Sequence, residues 1–395
     1  MKKYWFFVLA VIAALLLSPL VSSAAPAGAA PDRDEERHAA DWMLVKFQPG
    51  TDRIKEGEIH RKHGGEVLDV IPGIDVQVVK ITSGRAREKA DEYARDREVR
   101  FAEPDFVAQA TLTPNDQYFG NQWGMVKIQA PQAWDLTAGA GVKIAILDTG
   151  IDQDHEDLQA KIIANKNFTR SKTADDKYGH GTHVAGIAAG ITNNGKGVAG
   201  VGYGASLMNV KVLGDTGSGN YSWIASGIIW AADNGARVIN MSLGGSSGSS
   251  TLEDAVNYAW SKGVVVVAAA GNSNTSSPSY PGYYANAIAV AATDQNDVKA
   301  SFSNYGDWVD VAAPGVSSYS TLPNHRNSIG PRNYGYLSGT SMASPHVAGE
   351  AALVFASHPT WTNADVRARI QAATDPTSGF TTALGRVNAY QAVQP

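Results

Sequence analysis

The chain has 395 residues, 44% of them hydrophobic, with 33 Lys and Arg set against 38 Asp and Glu. That composition is ample for a large buried core, and its mildly acidic balance gives no reason to expect nucleic acid as a partner. Cysteine is absent, which excludes both a disulfide framework and a thiol nucleophile. Lys2 and Lys3 precede an apolar run from Tyr4 to Leu17, broken at Ser18-Pro19 and followed by Ser22-Ser23-Ala24-Ala25. A charged start, an apolar stretch too short to span a bilayer comfortably and a small-residue cleavage site read as a signal peptide over residues 1–25. An uncleaved membrane anchor is the alternative. Residues 26–40, with Ala, Pro and Gly up to about Pro31, read as a linker. The expectation is an exported protein with no stable membrane association once the signal is removed.

Residues 41–110 have a different texture, rich in charge and in short β patterns. Met43 to Phe47 reads as a strand, Asp52 to His63 as a helix, and Glu66 to Val70 and Val76 to Ile81 as two strands. A second helix over Ala86 to Asp96 and a last strand over Val99 to Glu103 complete a β-α-β-β-α-β order, the ferredoxin-like pattern. The pattern by itself is silent on function.

After about Ala110 the charge density drops and Gly, Ala, Ser and Asn take over. Ile144 to Leu147, Val210 to Leu213, Val238-Ile239 and Val264 to Val267 are buried-type strands. Helical stretches lie between them at His183 to Gly190, Tyr221 to Asn234 and Thr251 to Lys262. Continuously apolar strands alternating with helices predict an α/β fold, a doubly wound, mostly parallel sheet with helices on both faces. Active sites of such folds gather outside the carboxyl ends of the strands.

Four stretches carry possible chemistry. Asp148-Thr149-Gly150 ends the first apolar strand, where a lone Asp reads equally as an Asx-turn or a helix cap. His180-Gly181-Thr182-His183-Val184-Ala185-Gly186 opens a helix of small residues. Two histidines at that spacing are possible metal ligands, but no Glu lies between them as a zinc-hydrolase motif requires. His183 and His346 read as core histidines, and His180 is better placed to face a cleft. Asn272 follows Val264 to Gly271 and sets an amide at another strand's carboxyl end, or simply a turn. In Gly339-Thr340-Ser341-Met342-Ala343-Ser344-Pro345-His346, Ser341 falls in the first turn of a helix. Free N–H groups there favour an oxyanion, although Ser is also a common N-cap. Pro345 is tolerable so early in a helix. The loop Gly195-Lys196-Gly197 lacks the spacing and the Ser/Thr of a phosphate cradle.

Asp, His and Ser, each with its local signature, follow one another in subtilisin order. Asn240-Met241-Ser242-Leu243-Gly244-Gly245 and Gly217-Ser218-Gly219-Asn220-Tyr221 agree as well. Over roughly residues 113 to 392 the chain resembles the subtilases, subtilisin-like serine proteases, and most nearly their thermitase group. The resemblance implies that Ser341 is the nucleophile, His180 the base, Asp148 its orienting acid, and Asn272 an oxyanion donor. It implies substrate-binding edges at Gly217, Ser218 and Gly219 and at Ser242, Leu243 and Gly244, to which an extended peptide would add as a strand. Ala269, Ala270 and Gly271 would line the primary pocket, with Ser279 near its base. No charge occurs in these stretches, so an apolar or aromatic residue is expected before the cut. Met342, next to the nucleophile, is expected to be open to oxidants. The partners implied are peptide and protein substrates, with residues 41–110 as an intramolecular inhibitor. The tail Phe106 to Ala110 would lie in the cleft of the peptidase domain, residues 111–395, before self-processing near Ala110 to Thr113.

The loop Ile191 to Val198 is rich in Gly and Asn and could turn carbonyls toward a hard cation, or be an ordinary surface turn. The resemblance implies a structural Ca2+ site there. Asp116 and Asp157 would give carboxylates, Asn194 its amide oxygen, and Ile191, Lys196 and Val198 their carbonyls. Where the thermitase group has the carboxylates of a second site, this chain has Asn167 and Arg170, with Asp175-Asp176 only later. Two other classes compete with a secreted serine endopeptidase. A silent binding protein would have no need of all four site residues. An α/β-hydrolase esterase would need Gly-x-Ser-x-Gly and the order Ser, acid, His, neither of which occurs. Nothing calls for an obligate oligomer, and a monomer is expected.

Overall fold

The computed structural model describes residues 38–81, 85–106 and 113–394. The signal-peptide reading, nearly all of the linker and the propeptide tail from Val107 to Ala110 lie outside them. The chain divides into two compact units between Gln109 and Ala110.

In the first unit the order is β1 (His38–Phe47), α1 (Arg53–His63), β2 (Glu66–Ile71), β3 (Val76–Lys80), α2 (Ala86–Tyr93) and β4 (Val99–Phe106). The sheet is antiparallel with strand order β2-β3-β1-β4, as the β-α-β-β-α-β pattern requires. Asp52 caps α1 by accepting from Lys55 N at 2.8 Å, and Gly64 closes it in the left-handed region at φ 73°. Met43, Val45 and Phe47 alternate along β1 and bury one sheet face against Ile59, Ala86, Ala90 and Tyr93 of the helices. β1 begins five residues earlier than its apolar alternation, and β4 runs on to Phe106, because each supplies the other's partner: His38 pairs with Phe106 across a register shift.

The second unit begins with α3 (Trp123–Lys127), α4 (Ala130–Trp134), β5 (Lys143–Asp148), β6 (Ile162–Asn167) and α5 (His180–Ala189). There follow β7 (Ser206–Lys211), α6 (Tyr221–Asp233), β8 (Val238–Met241), α7 (Ser250–Ser261) and β9 (Val265–Ala269). Next come β10 (Ala287–Thr293), β11 (Val311–Pro314), the hairpin β12 (Ser318–Leu322) and β13 (Asn333–Leu337), and α8 (Thr340–Ser357). The unit closes with α9 (Asn363–Ala372), β14 (Thr374–Pro376), β15 (Gly385–Val387) and α10 (Ala389–Val393).

Nine strands form one sheet in the order β14-β15-β11-β10-β9-β8-β5-β7-β6, parallel except for β14 against β15. Alternate residues of β5 feed opposite cores: Ile144 and Ile146 join one with α5 and α8, Ala145 and Leu147 the other with α6 and α7. Burial on both faces is why such strands carry no polar alternation. The sequence reading names four strands of this unit, places one of them too late and misses β6 and β10 to β15. β7 lies at 206–211, not 210–213, because Asn209 and Lys211 are fully buried and give the strand a polar look. Asn209 Nδ2 donates to Asn165 Oδ1 and the Ala174 carbonyl while its Oδ1 is left without a partner, and Lys211 is held by the Thr149 carbonyl and Asp215. β10 has alanine at four of its seven positions, which dilutes the β-branched signal of Ile288, Val290 and Thr293.

The helix α8 is buried along almost its whole length and carries Glu350 into the core with neither carboxylate oxygen hydrogen-bonded. Burial pushes this acid well above its ordinary value, and only the charge of Arg386 opposes the shift. A folded state that holds a proton its unfolded chain has released loses stability as pH rises past the ordinary carboxylate value. The loss continues up to the folded-state value, at no more than about 1.4 kcal/mol per pH unit. Glu350→Gln, neutral throughout, is therefore expected to flatten the decline and to melt higher than the parent in alkaline buffer. Thermal melts of the two proteins across pH measure this; parallel curves would refute it.

Candidate active site

Asp148 ends β5 in the middle of the sheet and is fully buried. Its Oδ1 accepts from His180 Nδ1 at 2.8 Å and from Thr149 N at 2.7 Å, while Oδ2 is buried with no hydrogen bond. His180 is the first residue of α5, with its side chain one-fifth exposed at 20%. Helix and strand end meet this closely because Gly181 has no side chain: a Cβ there would overlap the Gly150 carbonyl oxygen. Burial alone would push the His180 imidazole down, but the charge and hydrogen bond of Asp148 outweigh it and hold it above 6.5. The approach to His180 is fixed by Asp176. Its Oδ1 accepts from Thr149 Oγ1 at 2.9 Å, Tyr178 N at 3.1 Å and Gly179 N at 2.8 Å. Its Oδ2 accepts from Thr182 N at 2.9 Å and Thr182 Oγ1 at 2.7 Å.

The two remaining histidines of the motifs turn elsewhere. His183 is buried, contacts the Gly335 carbonyl at 3.1 Å and is pushed by burial down to about 3. His346 donates from Nδ1 to the Met342 carbonyl at 2.8 Å, and burial pushes it down to about 4.

Ser341 is the second residue of α8, and its Oγ donates to the Ser242 carbonyl at 3.2 Å. Among the described residues no hydrogen bond joins that hydroxyl to His180; such contacts commonly tighten only when substrate binds. Asn272 is exposed, and its Oδ1 accepts from Thr340 N at 2.8 Å and Thr340 Oγ1 at 3.0 Å. With the oxygen engaged, the amide nitrogen is the end left to face the cleft. Met342 is 2% exposed and packs in the main core, against the expectation of an open thioether. It follows Ser341 by about 100° around the helix and so points inward.

A cavity of about 310 Å3 opens beside Ser341 and Asn272, bordered by Leu243, Gly244, Ala269, Gly271 and Ser279. Its lining contains no charged residue. Ala270 is not part of that wall: it is buried the other way, with Ala291, Val309 and Ala312, as alternation along an extended strand dictates. Sequence reasoning passed over Asn304, another lining residue, whose Nδ2 donates to Ala270 O at 2.9 Å and whose Oδ1 accepts from Ser273 N at 2.9 Å. Gly217, Ser218 and Gly219 lie apart from this cavity, with Gly217 against the ring of Tyr178 and Ser218 O accepting from Gly214 N at 2.8 Å.

Two of the suggested calcium ligands, Asp116 and Asp157, both bond to the 191–198 loop. Asp116 Oδ2 accepts from Asn193 N at 2.9 Å, and Asp157 Oδ2 accepts from Val198 N at 2.7 Å. Gly197 lies so close to Asp157 Oδ2 that a Cβ would overlap it. Ile191 N donates to the Asp157 carbonyl at 2.9 Å, and Lys196 N to Asn194 Oδ1 at 2.8 Å. Asp116 Oδ1 is buried without a partner, and neither carboxylate forms an ion pair among the described residues. Burial pushes both acids up. Two carboxylates in that condition suit a hard cation. Asn194 directs its amide nitrogen at Asp157 Oδ1, 2.7 Å away; a half-turn of the amide would present the oxygen expected of a ligand.

At the positions that would hold a second site Asn167 is engaged with Thr169 and Ser171, and Asp176 is saturated as described. Asp152, Asp175 and His325 bring one ligand atom each within 4.8 Å of one another, a grouping the sequence did not suggest. Lys177 already pairs with Asp175.

Residues 139–389 match the subtilase family, and residues 24–105 match the fervidolysin N-terminal prodomain. The chain is 54% identical to thermitase of Thermoactinomyces vulgaris over 286 residues, 71% of this chain and 99% of thermitase. It is 49% identical to the thermophilic serine proteinase of Bacillus sp. strain AK1 over 300 residues, covering 75% and 73% of the two chains. A solved protease from Pseudoalteromonas arctica superposes with a TM-score of 0.68 at 38% identity, over 71% of this chain and 99% of that one. Fold, site geometry and these matches define a serine endopeptidase. The chain belongs to the subtilase family and carries an N-terminal prodomain.

One consequence of the geometry is measurable without turnover. In Ser341→Ala protein, ring resonances of His180 are expected to titrate above 6.5, the ordinary value, and Asp148→Asn should bring the midpoint down. An unchanged midpoint in the double variant would contradict the electrostatic role of Asp148.

Proposed function

We propose that the chain is an exported endopeptidase of broad specificity that works through Asp148, His180 and Ser341 and is made as a self-processing proenzyme. The observation that carries this reading is the 2.8 Å contact from His180 Nδ1 to the buried Asp148 carboxylate. It fixes the tautomer, so that Nε2 is the nitrogen free to take a proton. Ser341 Oγ attacks the scissile carbonyl as Nε2 removes its proton. The proton is then returned to the leaving amine, and Asp148 stabilises the intervening imidazolium. Asn272 Nδ2 and the Ser341 N–H receive the oxyanion. The fixed hold of Thr340 on Asn272 Oδ1 supports that role, because a preorganised donor needs no rearrangement as charge develops. Below the raised His180 value the base is already protonated, so activity is lost as pH falls through it.

An extended substrate pairs main chain to main chain with Gly217–Gly219 and Ser242–Gly244, and the residue before the cut enters the uncharged cavity. This supports apolar and aromatic preferences there. The prodomain acts as an intramolecular inhibitor until the chain cuts itself near Ala110 to Thr113. The charged start and apolar run of residues 1–25 support secretion, and among the described residues no helix is long and apolar enough to cross a membrane. The mature enzyme acts as a monomer. Asp116, Asp157, Asn194 and the carbonyls of Ile191, Lys196 and Val198 hold a structural Ca2+, joining the N-terminal arm to two distant loops.

Hydrolysis of an apolar p-nitroanilide peptide, blocked by a serine-directed phosphonylating reagent, tests the activity. Ser341→Ala is expected to abolish turnover and to accumulate as unprocessed proenzyme; self-processing by that variant would refute the nucleophile. For the ion, binding to the folded state alone stabilises by about 2.7 kcal/mol at a hundredfold excess over its dissociation constant. Chelator should therefore lower the melting temperature and speed self-digestion of mature enzyme, and Asp157→Ala should remove the response. A melting temperature indifferent to both would sink the site.

A further inference from the structure

Pro345 stands four residues beyond Ser341 in α8. Proline has no N–H, so the i to i+4 bond that would hold the Ser341 carbonyl within the helix cannot form. A carbonyl freed inside protein needs another donor. Ser242 provides it: its Oγ donates to Ser341 O at 2.7 Å, while its own carbonyl accepts from Ser341 Oγ.

The Ser242 hydroxyl has one proton and spends it on Ser341, so its oxygen can only accept from elsewhere. Asn240 Nδ2 donates to it at 3.0 Å, and Asn240 Oδ1 accepts from Ser344 Oγ at 2.7 Å. The chain of donors runs from Ser344 on α8, through Asn240 on β8, to Ser242 and back to α8 at Ser341. A carbonyl can only accept, so Ser341 O fixes the direction of every bond in this ring. Asn240 and Ser344 are fully buried and Ser242 is 3% exposed, so water cannot substitute for a missing member.

We propose that Asn240, Ser344 and the Ser242 side chain are positioning residues for the nucleophile. The ring replaces the helix bond removed by Pro345, sets the backbone of Ser341 and so aims its Cα–Cβ bond at the cleft. This role belongs to the Ser242 hydroxyl and is separate from any main-chain contact of Ser242 with substrate. It rests on the reading of Ser341 as nucleophile.

The two ideas separate by rescue. Ser242→Ala removes the donor, and kcat per active site is expected to fall about tenfold, with KM changed less than about twofold. Adding Pro345→Ala restores an N–H at position 345 that can reach Ser341 O, and most of the lost kcat should return. Asn240→Ala should lower kcat in the same sense and be rescued by the same change; this pair carries the test if Ser242→Ala does not fold. Sites are counted by phosphonyl titration, so unfolded protein does not enter the rate. Failure of the parental protein to titrate would overturn the nucleophile reading itself. A titrating parent with variants that keep full kcat, lose only in KM, or gain nothing from Pro345→Ala would overturn the positioning ring alone.

Discussion

A carboxylate held fully buried at the end of a central parallel strand is the constraint on which the rest of the second unit depends. Asp148 sits where β5, flanked by β7 and β8, runs out of ladder, and one of its oxygens is given to the His180 ring. A buried acid without a full set of donors is costly, and the surroundings are arranged around that cost. The chain turns at Gly150, α5 starts against the turn at Gly181, and the Lys211 ammonium, itself buried, caps the Thr149 carbonyl. The imidazole gains a fixed tautomer and a raised pKa from the same contact that tethers Asp148.

Three further pieces meet one another around the cavity beside Ser341. The segment after β8 supplies Ser242, the one after β9 supplies Asn272, and α8 supplies Ser341 and Thr340. Parallel strands end on the same side of the sheet, so their carboxyl-terminal loops meet without any long excursion. What distinguishes these loops is how completely their polar groups are used. Asp176 takes up donors from four residues ahead of and within α5, Thr340 occupies the Asn272 oxygen, and Asn304 ties down the turn beyond β9. Each saturated group removes a degree of freedom from a residue that has to face the cleft.

The motifs were legible in the sequence because local chemistry specifies them: a small residue where backbones touch, an acid at a strand end, a serine at a helix start. The parallel sheet was equally legible, since strands like 144–147 and 265–269 are apolar on both faces. Partners distant in sequence were not. Nothing in Gly339-Thr340-Ser341 announces that Thr340 will close on Asn272, and Asp176 looks like one more loop carboxylate. Ala270 was assigned to the pocket wall with its neighbours, yet it lies on the opposite side of an extended chain. Lys211 and Asn209 disguised β7, because burying them relies on carbonyl and amide partners from other segments. The grouping of Asp152, Asp175 and His325 depends on the β12–β13 connection, which no local pattern places beside the others.

Catalysis as proposed depends on Ser341 being the one hydroxyl activated by the Asp148–His180 pair. The most direct measurement is mass mapping of the mature protein after exposure to a serine-directed phosphonylating reagent, repeated across pH. The predicted result is a single phosphonyl group per chain, on the peptide containing Ser341, added at a rate that falls with the protonation of His180. Labelling spread over several serines, or labelling of Ser341 at a rate indifferent to that titration, would contradict it.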